Sequence, residues 1–150
     1  MSDDHEHHGM NVEALRRSAT GFALDRDDLD DDPIVQFEDW FRYACETVPM
    51  DPNAVILSTV DSQSRPSSRT VLLKSFDENG FVFYTNYESR KAGDIEANPN
   101  VSLLFFWSQA ARQVKIQGKA GKIPATESLK YFLTRPRGSQ LGAWVSNQSS

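Results

Sequence analysis

The sequence predicts a mainly β domain with short helices, an antiparallel sheet curled into a small barrel. Three observations predict it. Five strand-like segments follow one another at short spacing: 54–60, 68–76, 81–86, 101–107 and 112–123. Most are joined by turn-forming clusters, of which Glu78-Asn79-Gly80 between two apolar runs is the plainest hairpin signal. Helical periodicity is confined to short stretches between them. A chain of 150 residues fits one domain with a real core.

Residues 1–32 read as a flexible acidic arm. Large apolar side chains are few there, and the block Asp25-Arg26-Asp27-Asp28-Leu29-Asp30-Asp31-Asp32 buries little to offset ordering. His5, His7 and His8 in that arm are read as adventitious ligands, so no metal site is assigned. The folded domain is expected over 33–150. Asp32 can cap a helix with Pro33 at its first position. Ile34, Phe37, Trp40, Phe41 and Ala44 then form one apolar face, and the helix should stop before Pro49. Cys45, on that helix, is read as a core residue.

The strand at 54–60 ends in the polar stretch 61–65. Segments 68–76 and 81–86 form the hairpin. Ser89 can cap a helix running to about Ala97, stopped by Asn98-Pro99. The apolar run 101–107 suits a strand buried on both faces, and 112–123 a long strand bulged at Gly118 or Gly121. Pro124 opens a helix near Thr126, ending before Pro136. The tail beyond Gly138 offers no strong closing strand, so an exposed edge is expected.

Charge is unevenly placed. Residues 1–51 hold 14 Asp/Glu against 4 Arg, a net −10; residues 52–150 hold 7 against 12 Lys/Arg, a net +5. The body of the domain is basic although the chain is acidic. A basic body fits a solvated face, or attraction of anionic small molecules or nucleic acid. No apolar run approaches the roughly 20 residues that span a bilayer. The N-terminus is neither a secretory signal nor an Arg-rich transit peptide. The lone Cys45 excludes an internal disulfide framework, and a cytoplasmic location follows as the simplest expectation.

The chemistry concentrates in two runs. In the first, 69–91, Arg69 and Lys74 bracket a strand, and their odd spacing predicts opposite faces. Val71 to Leu73 between them offer backbone and apolar surface to a planar ring. Ser89-Arg90-Lys91 opens a helix, where the dipole disfavours cations unless an anion is bound. In the second run, Tyr131 and Arg135 are four apart on one helical face, followed by Arg137 and Ser139, a donor set that suits phosphate. Solvated basic ends would give either pattern too. No nucleophilic triad, GxGxxG or P-loop is visible, and histidine occurs only in the arm. Anion donors without groups for hard chemistry describe a protein whose cofactor performs the reaction.

The runs R-T-V-L-L-K at 69–74, F-Y-T-N-x-x-S-R-K-A at 83–92, N-P-x-V-S-L-L-F-x-W at 98–107, R-Q-V at 112–114 and the stretch 131–150 closely resemble the pyridoxamine/pyridoxine 5′-phosphate oxidase family. A weaker echo lies at Leu15-Arg16-Arg17. The resemblance implies an FMN-binding split barrel, a homodimer with FMN at the interface. By motif it assigns Arg69, Thr70, Val71, Leu72, Leu73, Lys74, Tyr84, Thr85, Arg90, Lys91, Gln113, Gln148 and Ser149 to FMN. It assigns Lys74, Tyr131, Arg135 and Ser139 to the substrate phosphate. The implied reaction oxidises pyridoxamine 5′-phosphate or pyridoxine 5′-phosphate to pyridoxal 5′-phosphate, with O2 as acceptor and H2O2 released. No partner nucleic acid or membrane is implied.

Family members continue into a Trp-rich region and an R-L-H-x-R motif, which supplies the Arg and His over the substrate. The sequence ends at Ser150 without them, so no catalytic residue is identified within it. The arm has Ala19 where the family often places a tyrosine. The alternative expectation is an FMN- or pyridoxal-phosphate-binding module without turnover. A flavin oxidase acting on another ring, as in phenazine biosynthesis, is a further one, opposed by the phosphate-binding set at Tyr131, Arg135 and Ser139.

Overall fold

A computed structural model describes residues 23–86, 88–124 and 126. Asp32 Oδ1 accepts from Ile34 N at 2.8 Å and starts helix α1, Pro33–Thr47. Five strands follow: β1 Ala54–Val60, β2 Pro66–Asp77, β3 Gly80–Phe83, β4 Asn100–Trp107 and β5 Arg112–Lys119. Helix α2, Arg90–Ala97, lies between β3 and β4. The strands form one antiparallel sheet in the order β3-β2-β1-β4-β5. The expected five strands and two of the expected helices are present. The helix expected near Thr126 lies almost wholly outside the described residues.

Alternation in each strand sends one row of side chains inward. Val55 and Leu57 of β1, Val71 and Leu73 of β2, and Leu103, Phe105 and Trp107 of β4 are buried. They meet Phe37 and Ala44 of α1. Phe37 is the hub, 3% exposed. Its ring centroid lies 4.8 Å from Phe76, 4.9 Å from Phe81 and 5.1 Å from Phe105. Phe81 and Phe105 sit on β3 and β4, three strand spacings apart, about 14 Å in a flat sheet. One ring can touch both only because the sheet curls around α1 into a half-barrel. Trp107 Nε1 donates to Pro52 O at 2.8 Å, which satisfies the one polar atom of that buried ring.

The hairpin turns at Glu78-Asn79 with Asp77 paired to Gly80. Gly80 has φ +144°, a conformation L side chains rarely adopt, so the glycine is required there. Residues 23–32, expected within the flexible arm, hold a 3-10 turn at Arg26–Asp28, and Asp30 N donates to Gln36 Oε1 at 2.6 Å. Residues 1–22 lie outside the described ones. No helix among the described residues is long and apolar enough to cross a membrane.

Several local expectations need correction. Cys45 is exposed, not core: it falls one residue past buried Ala44 and about 100° off the apolar face. β4 is buried on one face only, since the sheet carries α1 on its inner side and Phe106 on the outer side is 65% exposed. β5 ends at Lys119, with Gly118 in regular register opposite Val101, so neither glycine makes a bulge. The bulge lies in β2, where Lys74 is the extra residue between Leu73 and Ser75. β3 stops at Phe83 rather than Asn86.

Phe37→Ala should cost about 3–5 kcal/mol, because five aromatic neighbours cannot collapse into the space left. The exposed Val35→Ala should change stability by about 0.5 kcal/mol or less. Urea unfolding of the two variants checks the contrast.

Candidate functional site

Arg69 continues the inner row of β2 beyond Leu73 and Val71, opposite Leu57 of β1. The row of apolar side chains thus ends in a guanidinium. Arg69 Nη1 donates to Thr59 Oγ1 at 2.6 Å and reaches Leu57 O at 3.4 Å. Thr59 Oγ1 donates to Asp94 Oδ2 at 3.0 Å, and Arg69 Nη2 lies 3.5 Å from the same oxygen. Asp94 stands three residues after Lys91 on α2, and both face inward. Lys91 is 7% exposed and makes no hydrogen bond or ion pair among the described residues. Burial lowers the proton affinity of its amine, and the nearby Arg69 guanidinium lowers it further.

Two cations and one carboxylate therefore share a buried corner, with one positive charge in excess. The start of α2 adds to it. Ser89, the expected cap, makes no side-chain cap. Its hydroxyl donates to Asn86 O at 2.6 Å and lies 3.1 Å from Thr85 Oγ1. Ala92 N donates to Ser89 O at 3.0 Å, and the Arg90 and Lys91 amides have no side-chain acceptor, at the positive end of the helix dipole. Excess charge, the two open amides of Arg90 and Lys91 and the nearby Thr85 hydroxyl suit a phosphate, and the residues fit a phosphorylated cofactor.

The other expected residues are distributed by strand parity. Thr70 and Leu72 point to the outer face of the sheet, as does Gln113 on β5, opposite Phe106. Val71 and Leu73 are buried in the core, so they can offer a ligand backbone only. The backbone of Leu73 is already engaged with Asn53, through its N–H and its carbonyl oxygen. Lys74 is half-buried at the bulge. The extra residue resets the alternation, as Phe76 shows by joining the core with Val71 and Leu73. The parity argument that put Arg69 and Lys74 on opposite faces therefore fails. Arg90 is exposed. Tyr84 lines a cleft of about 530 Å³ between β3, α2 and residues 119–123, a cleft that neither Arg69 nor Lys91 lines. Tyr131, Arg135, Ser139, Gln148 and Ser149 lie outside the described residues.

Sequence reasoning missed Thr59 and Asp94. Each left a signal. Thr59 is the polar member of the inward row Val55, Leu57, Thr59, and Asp94 is one helical turn from Lys91.

A family model described as Pyridoxamine 5'-phosphate oxidase matches residues 41–150. The chain belongs to this oxidase family. A pyridoxine/pyridoxamine 5'-phosphate oxidase of Rippkaea orientalis is 60% identical over 141 residues, 94% of this chain and 66% of that protein. One from Escherichia fergusonii is 51% identical over 150 residues, all of this chain and 68% of that protein. The chain thus spans about two thirds of the length of the curated relatives it matches. Among solved structures, PhzG from Burkholderia lata 383, in complex with tetrahydrophenazine-1-carboxylic acid, is 28% identical with a TM-score of 0.76. The match covers 85% of this chain and 64% of PhzG. A pyridoxamine 5'-phosphate oxidase-related, FMN binding protein from Nostoc punctiforme PCC 73102 shares the fold at 17% identity and TM-score 0.60, over 76% of this chain and 63% of that one. The oxidase family is thereby shown, and its split-barrel fold is the one seen here.

Lys91 yields a prediction. Its folded-state pKa lies below the ordinary 10.5, so the folded chain holds that proton less tightly than the unfolded chain. The cost of burying the charge is fully present below the folded-state pKa. It is relieved as pH rises through that value toward 10.5. Lys91→Met should raise the melting temperature of the cofactor-free protein at neutral pH. The advantage should shrink as pH approaches the ordinary lysine range, and melts of both proteins across that range measure it.

Proposed function

We propose that this protein is an FMN-dependent oxidase of vitamin B6 phosphates. It converts pyridoxamine 5′-phosphate or pyridoxine 5′-phosphate to pyridoxal 5′-phosphate, with O2 as electron acceptor and H2O2 as the reduced product. The observation that carries the reading is the buried, positively charged corner at the start of α2. The curated relatives at 51–60% identity bear the oxidase name, against 28% identity to PhzG, which favours the B6 esters over a phenazine ring.

In this reading Arg69 and Lys91 hold the FMN phosphate, with Thr85 and the first-turn amides of α2 beside them. Arg90 screens the phosphate from the exposed side. Thr70, Leu72 and Gln113 approach the flavin from the outer face, Val71 and Leu73 shape the strand behind it, and Tyr84, Gln148 and Ser149 complete the set. Lys74, Tyr131, Arg135 and Ser139 grip the substrate phosphate. When bound, FMN supplies the acceptor for a hydride equivalent from the substrate C4′ and passes two electrons on to O2. The amine substrate also takes up water and releases ammonia. The chain's own part is to bind both phosphates and fix the two rings against each other.

A homodimer belongs to the same reading. Ile56, Leu72 and Phe106 are exposed on the outer face of adjacent strands, beside half-buried Leu104. A second copy over this apolar stripe would also cover Thr70 and Gln113, which places the flavin between subunits. The cytoplasm suits a protein with one exposed thiol.

Purified protein mixed with FMN should retain flavin absorbance and release peroxide on pyridoxamine 5′-phosphate; protein that stays colourless would contradict the reading. Arg69→Ala should weaken FMN by about 1.5–3 kcal/mol, roughly 10- to 150-fold in Kd. Arg135→Ala should raise the KM for substrate and leave flavin bound. Flavin fluorescence and steady-state kinetics separate the two. Phe106→Asp should shift sedimentation toward monomer and lower flavin retention together.

A further inference from the structure

A carboxylate at a phosphate site needs a reason. Asp94 is 7% exposed and sits on the same helix face as Lys91. Burying a carboxylate costs desolvation, and its charge repels a phosphate. Yet Asp94 Oδ2 accepts a hydrogen bond from the Thr59 hydroxyl at 3.0 Å and lies 3.5 Å from Arg69 Nη2. The Thr59 oxygen in turn accepts from Arg69 Nη1 at 2.6 Å. Guanidinium, hydroxyl and carboxylate close a triangle that ties β2 and β1 to α2. Arg69 is thus held by the protein's own groups, and one of the two cations is already compensated.

We propose that Asp94 is a resident counter-ion of this anion site. With Thr59 it fixes the Arg69 guanidinium and offsets the Arg69–Lys91 repulsion while the site is empty, and it then competes with an entering phosphate for the same cations. Asp94 is a positioning residue with no contact to reacting atoms. The inference rests on the flavin reading above for the identity of the phosphate ester. Its charge argument applies to any phosphate.

Stability of the empty protein and affinity for phosphate should therefore move in opposite directions when the charge is removed. Asp94→Asn keeps the shape and leaves an amide oxygen to accept from Thr59. A purely scaffolding Asp94 would lose stability and affinity together.

The experiment compares thermal melts of the wild type and Asp94→Asn in sodium chloride and in sodium phosphate at matched ionic strength, then titrates FMN and riboflavin. Asp94→Asn is expected to melt lower in chloride and to gain more from phosphate. Its dissociation constants for phosphate and FMN should fall about 3- to 10-fold, while riboflavin, which lacks the phosphate, should not change. Parallel losses of stability and affinity, no change in either, or equal tightening of riboflavin would overturn the proposal. If phosphate behaves as expected but FMN fails to bind the wild type, the flavin reading fails and the counter-ion role stands. Should Asp94→Asn prove too unstable to purify, Lys91→Met/Asp94→Asn restores the charge balance. Recovery of yield and melting temperature in that double variant supports the role, and a double variant no more stable than the single one overturns it.

Discussion

A positive charge kept at the end of an apolar row is the constraint on which this molecule's arrangement turns. Val71 and Leu73 carry β2 into the core, and the next inward position toward the strand's start is Arg69. A guanidinium there must be satisfied or it destabilises the fold. Thr59 answers from the neighbouring strand, and Asp94 answers from the helix that packs beside β1. Lys91 then adds a second cation that nothing among the described residues neutralises. The half-barrel is complete in its packing around Phe37 but incomplete in its charge. In the proposed reading, that imbalance is what draws an anion to the corner.

Strand parity then decides which parts of a ligand each residue can meet. On β2, Arg69 looks inward while Thr70 and Leu72 look outward, so one strand serves both sides of the sheet. The inner side supplies charge. The outer side supplies the apolar stripe of Ile56, Leu72 and Phe106, with Thr70 and Gln113 at its edge. In the flavin reading, a ligand that meets both sides passes near the first turn of α2, where the Arg90 and Lys91 amides have no side-chain acceptor. The bulge at Lys74 adds a local exception: the extra residue resets the alternation and so brings Phe76 into the core.

Much of this was legible in the sequence because the signals were local. Asp32-Pro33 marks the start of α1, and Glu78-Asn79-Gly80 marks the hairpin. The inward row of β4 follows from its length and apolar character, although the run Phe105-Phe106-Trp107 hid the fact that Phe106 faces out. Arg69 and Lys91 were named from their motifs, and the fold brings them together. What escaped was nonlocal. The Thr59–Asp94 bond joins residues 35 apart in sequence. The bulge depends on how β2 meets β3, not on any glycine, and Cys45 reads as core in the sequence although one residue's rotation on the helix puts it on the surface.

In the proposed reading Arg69 and Lys91 form one phosphate site at the first turn of α2, and a crystal structure of the protein with FMN bound checks it. The phosphorus is expected between the Arg69 guanidinium and the Lys91 ammonium, with its oxygens on the Arg90 and Lys91 amides. A flavin bound with its phosphate elsewhere, and Lys91 still unpaired, would contradict it.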